Sequence, residues 1–89
     1  MAGESTLERA IKRHCRANGW LFLKLSGPVG WPDRTIIGPG GIVFLELKAP
    51  GQKPTRNQLL WLELLSTLDL DAMWCDNIED AKDICERVR

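Results

Sequence analysis

Eighty-nine residues, 44% of them hydrophobic and 27% charged, make an ordinary globular composition for one domain, 1–89, and no apolar run approaches the roughly 20 residues of a membrane span. A domain of this size buries only about 60–65% of the surface its unfolded chain exposes, so it gains from a partner. The zero net charge divides: residues 1–62 hold nine Lys/Arg and four Asp/Glu, and residues 63–89 hold three and eight. The four acids Glu4, Glu8, Asp33 and Glu46 thus stand in an otherwise cationic stretch, which suits a surface that receives phosphate and holds a cation.

Apolar residues at helical spacing (Leu7, Ala10, Ile11, Cys15) predict a helix over about 5–18, with Ser5 as N-cap, Glu8 three residues on and Asn18-Gly19 as the stop. A strand is expected over 20–25. The Gly- and Pro-rich stretch Ser26–Pro32 is a loop, because it cannot sustain a hydrogen-bonded ladder. Short strands over 34–37 and 42–48, joined by Gly38-Pro39-Gly40-Gly41, should pair as an antiparallel hairpin. That glycine-rich turn is no phosphate loop, since no Gly-Lys-Ser/Thr follows it. Thr55 opens a helix to about Leu68, a strand covers 71–75, and a last helix from about Asn77 carries Ile78, Ala81, Ile84, Cys85 and Val88 inward. The order is αβββαβα, an α/β chain whose natural solution is a central mixed sheet flanked by helices in three layers. The 55–68 helix has more leucines than one sheet face requires, so it is either buried on two sides or covered by a second copy of the chain.

Cys15, Cys75 and Cys85 have no CxxC spacing, and with the single His14 they do not make a zinc site; they read as reduced, apolar residues. The first residues, Met-Ala-Gly-Glu-Ser-Thr, lack the basic and apolar regions of a secretion signal, so the expected location is cytoplasmic.

The chemistry-bearing residues cluster around the hairpin. Glu46 and Lys48, two apart at the end of the strand, share a face about 6–7 Å apart. Asp33 is available from the preceding loop. Two carboxylates can hold a hard divalent cation through oxygen, and a nearby lysine can orient or deprotonate water. Taken singly, Asp33 reads as a turn residue capping its own backbone, and Glu46 with Lys48 as a surface ion pair. Lys24, Arg34, Lys53 and Arg56 flank the group and are candidate phosphate contacts, extended by Arg9, Lys12, Arg13 and Arg16; a solvated face is the plain alternative. Trp31 either stacks on an unpaired base or covers the core.

In order and spacing, Glu4-Ser-Thr-Leu-Glu8, Lys24, Gly30-Trp-Pro-Asp-Arg34, Gly40-Gly-Ile-Val-Phe-Leu-Glu-Leu-Lys-Ala-Pro50 and Gln58 resemble the VRR-NUC family of the PD-(D/E)xK nuclease superfamily, in a stand-alone copy of the type found in bacteria and their phages. The resemblance covers Glu4 to Val88 and implies a restriction-endonuclease-like fold. It implies Asp33 and Glu46 as ligands of Mg²⁺ or Mn²⁺, with the Leu47 main-chain carbonyl, and Lys48 as the assisting base or charge stabiliser. Glu8 would complete or support that site, with Glu4 its rival; Gln58 would bond water or phosphate. Ser5-x-x-Glu8 and Thr55-x-x-Gln58 are equally capping boxes, so both residues have a structural reading.

The expected activity is therefore a metal-dependent DNA endonuclease, homodimeric and selective for branched DNA such as Holliday junctions, acting in the cytoplasm (for a phage copy, that of its host). The competing readings are a catalytically silent DNA-binding module of the same fold and a dimerisation domain.

Overall fold

The computed structural model describes residues 5–89, so Glu4 lies outside the described residues. Its elements are α1 (Thr6–Ala17), β1 (Leu21–Leu23), β2 (Arg34–Gly38), β3 (Gly41–Leu47), α2 (Arg56–Thr67), β4 (Asp71–Cys75), α3 (Ile78–Cys85) and a closing 3-10 turn, Glu86–Val88. The order αβββαβα is as expected. The four strands form one sheet in the order β1-β2-β3-β4, antiparallel up to β3 and parallel between β3 and β4.

Local chemistry sets the element ends. Ser5 accepts the Glu8 N–H to open α1, and Gly19, at φ 75°, closes it in the left-handed region. Asn77 opens α3 in the same way, accepting from the Asp80 N–H. β1 is shorter than the apolar run that contains it. As an edge strand it pairs only with β2, and the chain must leave the ladder for the Gly- and Pro-rich loop. The Pro39-Gly40 corner joins β2 to β3 with Gly38 opposite Gly41. Added Cβ atoms at Gly38 and Gly40 would come within 2.4 Å of the Val88 and Arg89 carbonyl oxygens. The corner is glycine-rich because the C-terminal 3-10 turn packs directly on it, and the Gly40 N–H donates to the Val88 carbonyl at 2.8 Å.

β3 lies between β2 and β4, and its alternating side chains enter two cores. Val43 and Leu45 face Leu7, Ile11 and Cys15 of α1 and Ala81, Ile84 and Cys85 of α3. Phe44, with Trp31 and Trp74, packs against Leu62 and Leu65 of α2. The three cysteines are free and buried, as expected of apolar residues. Two expectations need correcting. Ile78 does not turn inward but is 37% exposed at the start of α3, whereas Val88 is fully buried as expected, from the 3-10 turn rather than the helix. α2 is not buried on two sides: only Leu62 and Leu65 are buried, while Leu60, Leu64 and Leu68 are 51%, 49% and 63% exposed. Among the described residues no helix is long and apolar enough to cross a membrane.

Candidate active site

The hairpin register brings the two carboxylates together. Arg34 pairs with Leu45 in an antiparallel ladder, so the next step sets Asp33 opposite Glu46 on the α2 face of the sheet. Directly opposed side chains have Cβ atoms about 4.5–5.5 Å apart, and like charges there repel. Glu46 is 2% exposed. Burial, then the adjoining Asp33 carboxyl, raises its pKa from an ordinary 4.5 to about 7 against the opposing pull of Lys48. Its Oε2 accepts from Gln58 Nε2 at 3.2 Å and stands 3.5 Å from Lys48 Nζ. Its Oε1 is buried without a hydrogen-bond partner among the described residues, and so is Thr35 Oγ1. A buried acceptor left unsatisfied costs about 1–3 kcal/mol. The orphaned oxygen of a carboxylate facing another carboxylate is what a divalent cation would satisfy, and the all-oxygen chemistry suits Mg²⁺ or Mn²⁺. No cluster of three or more His, Cys, Asp or Glu forms among the described residues.

Lys48 follows β3 directly, with its backbone N–H donating to the Cys75 carbonyl at 2.9 Å and its side chain 17% exposed. It shares the face of Glu46, as the spacing of two requires. Gln58 meets both of its readings at once. Its Oε1 accepts from the Thr55 N–H at 2.8 Å to close the capping box, while its Nε2 goes to Glu46.

Glu8 is buried on α1, but its carboxylate is not joined to the pair. Arg34 holds Glu8 Oε2 through Nε and Nη2, and Lys24 Nζ stands 3.4 Å from the same oxygen. Arg34 Nη1 also donates to the Asp33 main-chain carbonyl at 3.0 Å. Glu8 therefore reaches Asp33 only through Arg34. That leaves Arg34 engaged and 16% exposed, whereas Lys24 is 58% exposed and Lys53 and Arg56 lie on the surface. A cleft of about 310 Å³ opens between Lys24, Arg34, Asp33 and the 26–32 loop. A second cleft, about 760 Å³ and mostly apolar, lies elsewhere. It touches Leu47 and Lys48 but runs between the starts of α1 and α3, away from the carboxylates.

Trp31 covers the core, edge-on to Phe44 and Trp61 at 5.6 Å and 5.4 Å between ring centres. Sequence reasoning missed Asn57 and Trp61 of α2, both of which donate to the Val29 carbonyl in the loop before Asp33. A visible signal was their spacing of four residues, which puts them on one helical face.

No family model matches the chain. It is 41% identical over 59 residues to "Putative nuclease p44" of Acyrthosiphon pisum secondary endosymbiont phage 1, a match spanning 63% of each protein. A solved structure described as a "VRR_NUC domain" superposes with a TM-score of 0.80 at 26% identity, covering 93% of this chain and 94% of that one. Its sheet order, its flanking helices and this structural likeness are those of the restriction-endonuclease-like fold, and the resemblance to the VRR-NUC family expected from the sequence is met by the likeness to that domain.

Proposed function

We propose that the chain is a divalent-metal-dependent endonuclease that hydrolyses phosphodiester bonds in DNA. The carrying observation is the buried Glu46 carboxylate, opposed to Asp33, with one oxygen held by Gln58 and Lys48 and the other without a donor among the described residues. The structural likeness to a VRR-NUC domain and the name of the phage relative support the same reading.

Asp33, Glu46 and the Leu47 main-chain carbonyl would hold Mg²⁺ or Mn²⁺. When bound, the cation supplies positive charge against the scissile phosphate and makes water more acidic. Gln58 keeps Glu46 Oε2 turned toward Lys48. Lys48 orients the attacking water or offsets charge gathering on the phosphorane-like transition state. Water adds in line to phosphorus and the bridging oxygen leaves with a proton, so a phosphomonoester and a hydroxyl remain at the nick. Lys24, Lys53 and Arg56, all exposed, would meet phosphates, and Glu8 would steady Asp33 through Arg34.

The substrate we favour is branched DNA such as a Holliday junction, cut by a homodimer. The exposed stripe Leu60, Leu64, Leu68, at spacings of four along α2, is the surface a second copy would cover, and a two-fold dimer presents two sites to two strands.

The test is cleavage of labelled four-way junctions and linear duplexes with Mg²⁺, with Mn²⁺ and with EDTA, by the wild type, Asp33→Asn and Lys48→Ala. Metal-dependent nicking, greatest on the junction and lowered at least about 1,000-fold in both variants with junction binding kept, is the expected outcome. Binding without nicking by the wild type would instead mark a silent DNA-binding module. Absence of DNA binding at every salt concentration would mark a dimerisation domain.

A further inference from the structure

α2 grips more than Glu46. One residue away from Gln58, and on the next turn, Asn57 Nδ2 and Trp61 Nε1 donate to a single acceptor, the Val29 carbonyl, at 2.7 Å and 3.0 Å. Both lone pairs of that carbonyl are thereby used. The rest of the loop leaves little slack between this anchor and Asp33. Gly30 adopts φ +91° and lies so close to the helix that an added Cβ would stand 2.7 Å from Asn57 Nδ2. The Trp31 N–H closes a turn on the Pro28 carbonyl at 3.0 Å, and the Trp31 ring packs against Trp61 and Phe44. Pro32 is fully buried, with φ fixed by its ring, and it restricts Trp31 before it. Asp33 comes next.

The opposed carboxylates of Asp33 and Glu46 repel when both are charged, and a loop free to move would swing Asp33 away. Side chains that orient a metal ligand without touching the metal typically set affinity or activity by about 10–100-fold. We propose that Asn57 and Trp61 are positioning residues: through the Val29 carbonyl they lock the 26–32 loop on α2, keep Asp33 opposite Glu46 and so set the affinity of the site for its divalent cation. One helix then orients both ligands, Glu46 through Gln58 and Asp33 through its two neighbours. The inference rests on the proposed metal site and extends it to residues outside that site.

The experiment is a calorimetric titration of Mn²⁺ into the wild type, Asp33→Asn and the double variant Asn57→Ala/Trp61→Phe, with thermal melts of each. The wild type binds Mn²⁺, Asp33→Asn does not, and the double variant binds about 10–100-fold more weakly at temperatures where its melt shows it folded. Amide exchange of Trp31 without metal should also quicken in the double variant, which a merely stabilising role would not single out. If the double variant melts too low, Trp61→Phe alone decides, since it keeps the ring and deletes only the N–H; its affinity should fall by about tenfold. A folded variant that matches the wild type within about twofold, beside a wild type that binds and an Asp33→Asn that does not, overturns the inference and leaves the nuclease reading standing. A wild type that takes up no Mn²⁺ removes both.

Discussion

The two faces of the sheet are finished differently. Against α1 and α3, Ile11, Cys15, Ile36, Val43, Leu45, Ala81, Cys85 and Val88 are all fully buried. Against α2 the buried hydrophobic residues are Leu62, Leu65 and Ala72, the Glu46 carboxylate is buried on the same face, and four of the six leucines over 56–68 face outward. One strand serves both sides: β3 sends Val43 and Leu45 to the closed face, and Phe44 and Glu46 to the open one. Apolar burial at about 25 cal/mol per Å² is concentrated on the closed face. The open face can therefore hold two like charges and an uncovered leucine stripe without unfolding the domain.

Truncating one residue on each face tests that division, and it should give the largest effect. Leu45→Ala should cost about 2–5 kcal/mol in urea unfolding, as a cavity in a close-packed core does. Leu64→Ala, measured dilute enough to be monomeric, should change stability by less than about 0.5 kcal/mol. Equal costs would mean that the open face is as much a core as the other.

Next in size is the charge on the open face, read in metal-free protein. Glu46 has a pKa raised from 4.5 to about 7 on folding, so between those values the folded chain binds more protons than the unfolded one. Its contribution to stability is fully present below pH 4.5, falls as pH rises and is gone above about 7. Glu46→Gln should remove this decline and leave the protein on the order of 2 kcal/mol more stable than wild type at pH 8, while binding no Mn²⁺. Thermal melts in EDTA across pH 4–8 read the first part. A wild-type melting temperature that is flat over that range, with no gain from Glu46→Gln, would show that the pair is not strained.

The leucine stripe offers a third and smaller effect. If a second copy covers it, sedimentation should show a concentration-dependent dimer, and Leu60→Ala or Leu64→Ala should weaken it by about tenfold, the scale of one truncated contact at an interface. A protein that stays monomeric at high concentration would leave the open face uncovered and break the two-site picture of a junction.

Much of this difference between faces could be read from residue order. A two-residue corner at Pro39-Gly40 fixes the hairpin register, and that register alone brings Asp33 to Glu46; the shared face of Glu46 and Lys48 follows from strand alternation. The surplus of leucines on α2 was likewise visible. What sequence could not give were the destinations of long side chains across space. Glu8 and Arg34 are 26 residues apart, and a half-buried guanidinium competes with a metal for the same carboxylate. Nor could spacing show that Val29 offers its carbonyl to α2, because that contact depends on how the loop folds back over Trp31. The exposure of Ile78 was hidden for a related reason: helical periodicity gives a face but not how far the neighbouring α1 extends to cover it.

Gln58 carries the smallest expected effect and sharpens the comparison most, since it links the end of the open-face helix to the carboxylate beneath. Its two amide atoms point to different tasks, Oε1 to the Thr55 N–H and Nε2 to Glu46. A glutamate could close the same capping box but has no N–H to give to Glu46, which is the physical reason for an amide at this position. Thr55→Ala removes the hydroxyl half of the box and should cost about 1 kcal/mol while leaving Mn²⁺ affinity unchanged. Gln58→Leu should cost a similar amount at the cap and also weaken Mn²⁺ binding, by loosening Glu46. In the double variant the two stability losses should fall short of additive, because both act on one cap, whereas the loss of affinity should equal that of Gln58→Leu alone. Urea melts and Mn²⁺ titrations on the four proteins separate the two tasks. If Thr55→Ala weakened the metal as much as Gln58→Leu does, the order of the helix start would be what orients Glu46, and the amide donor would have no part of its own.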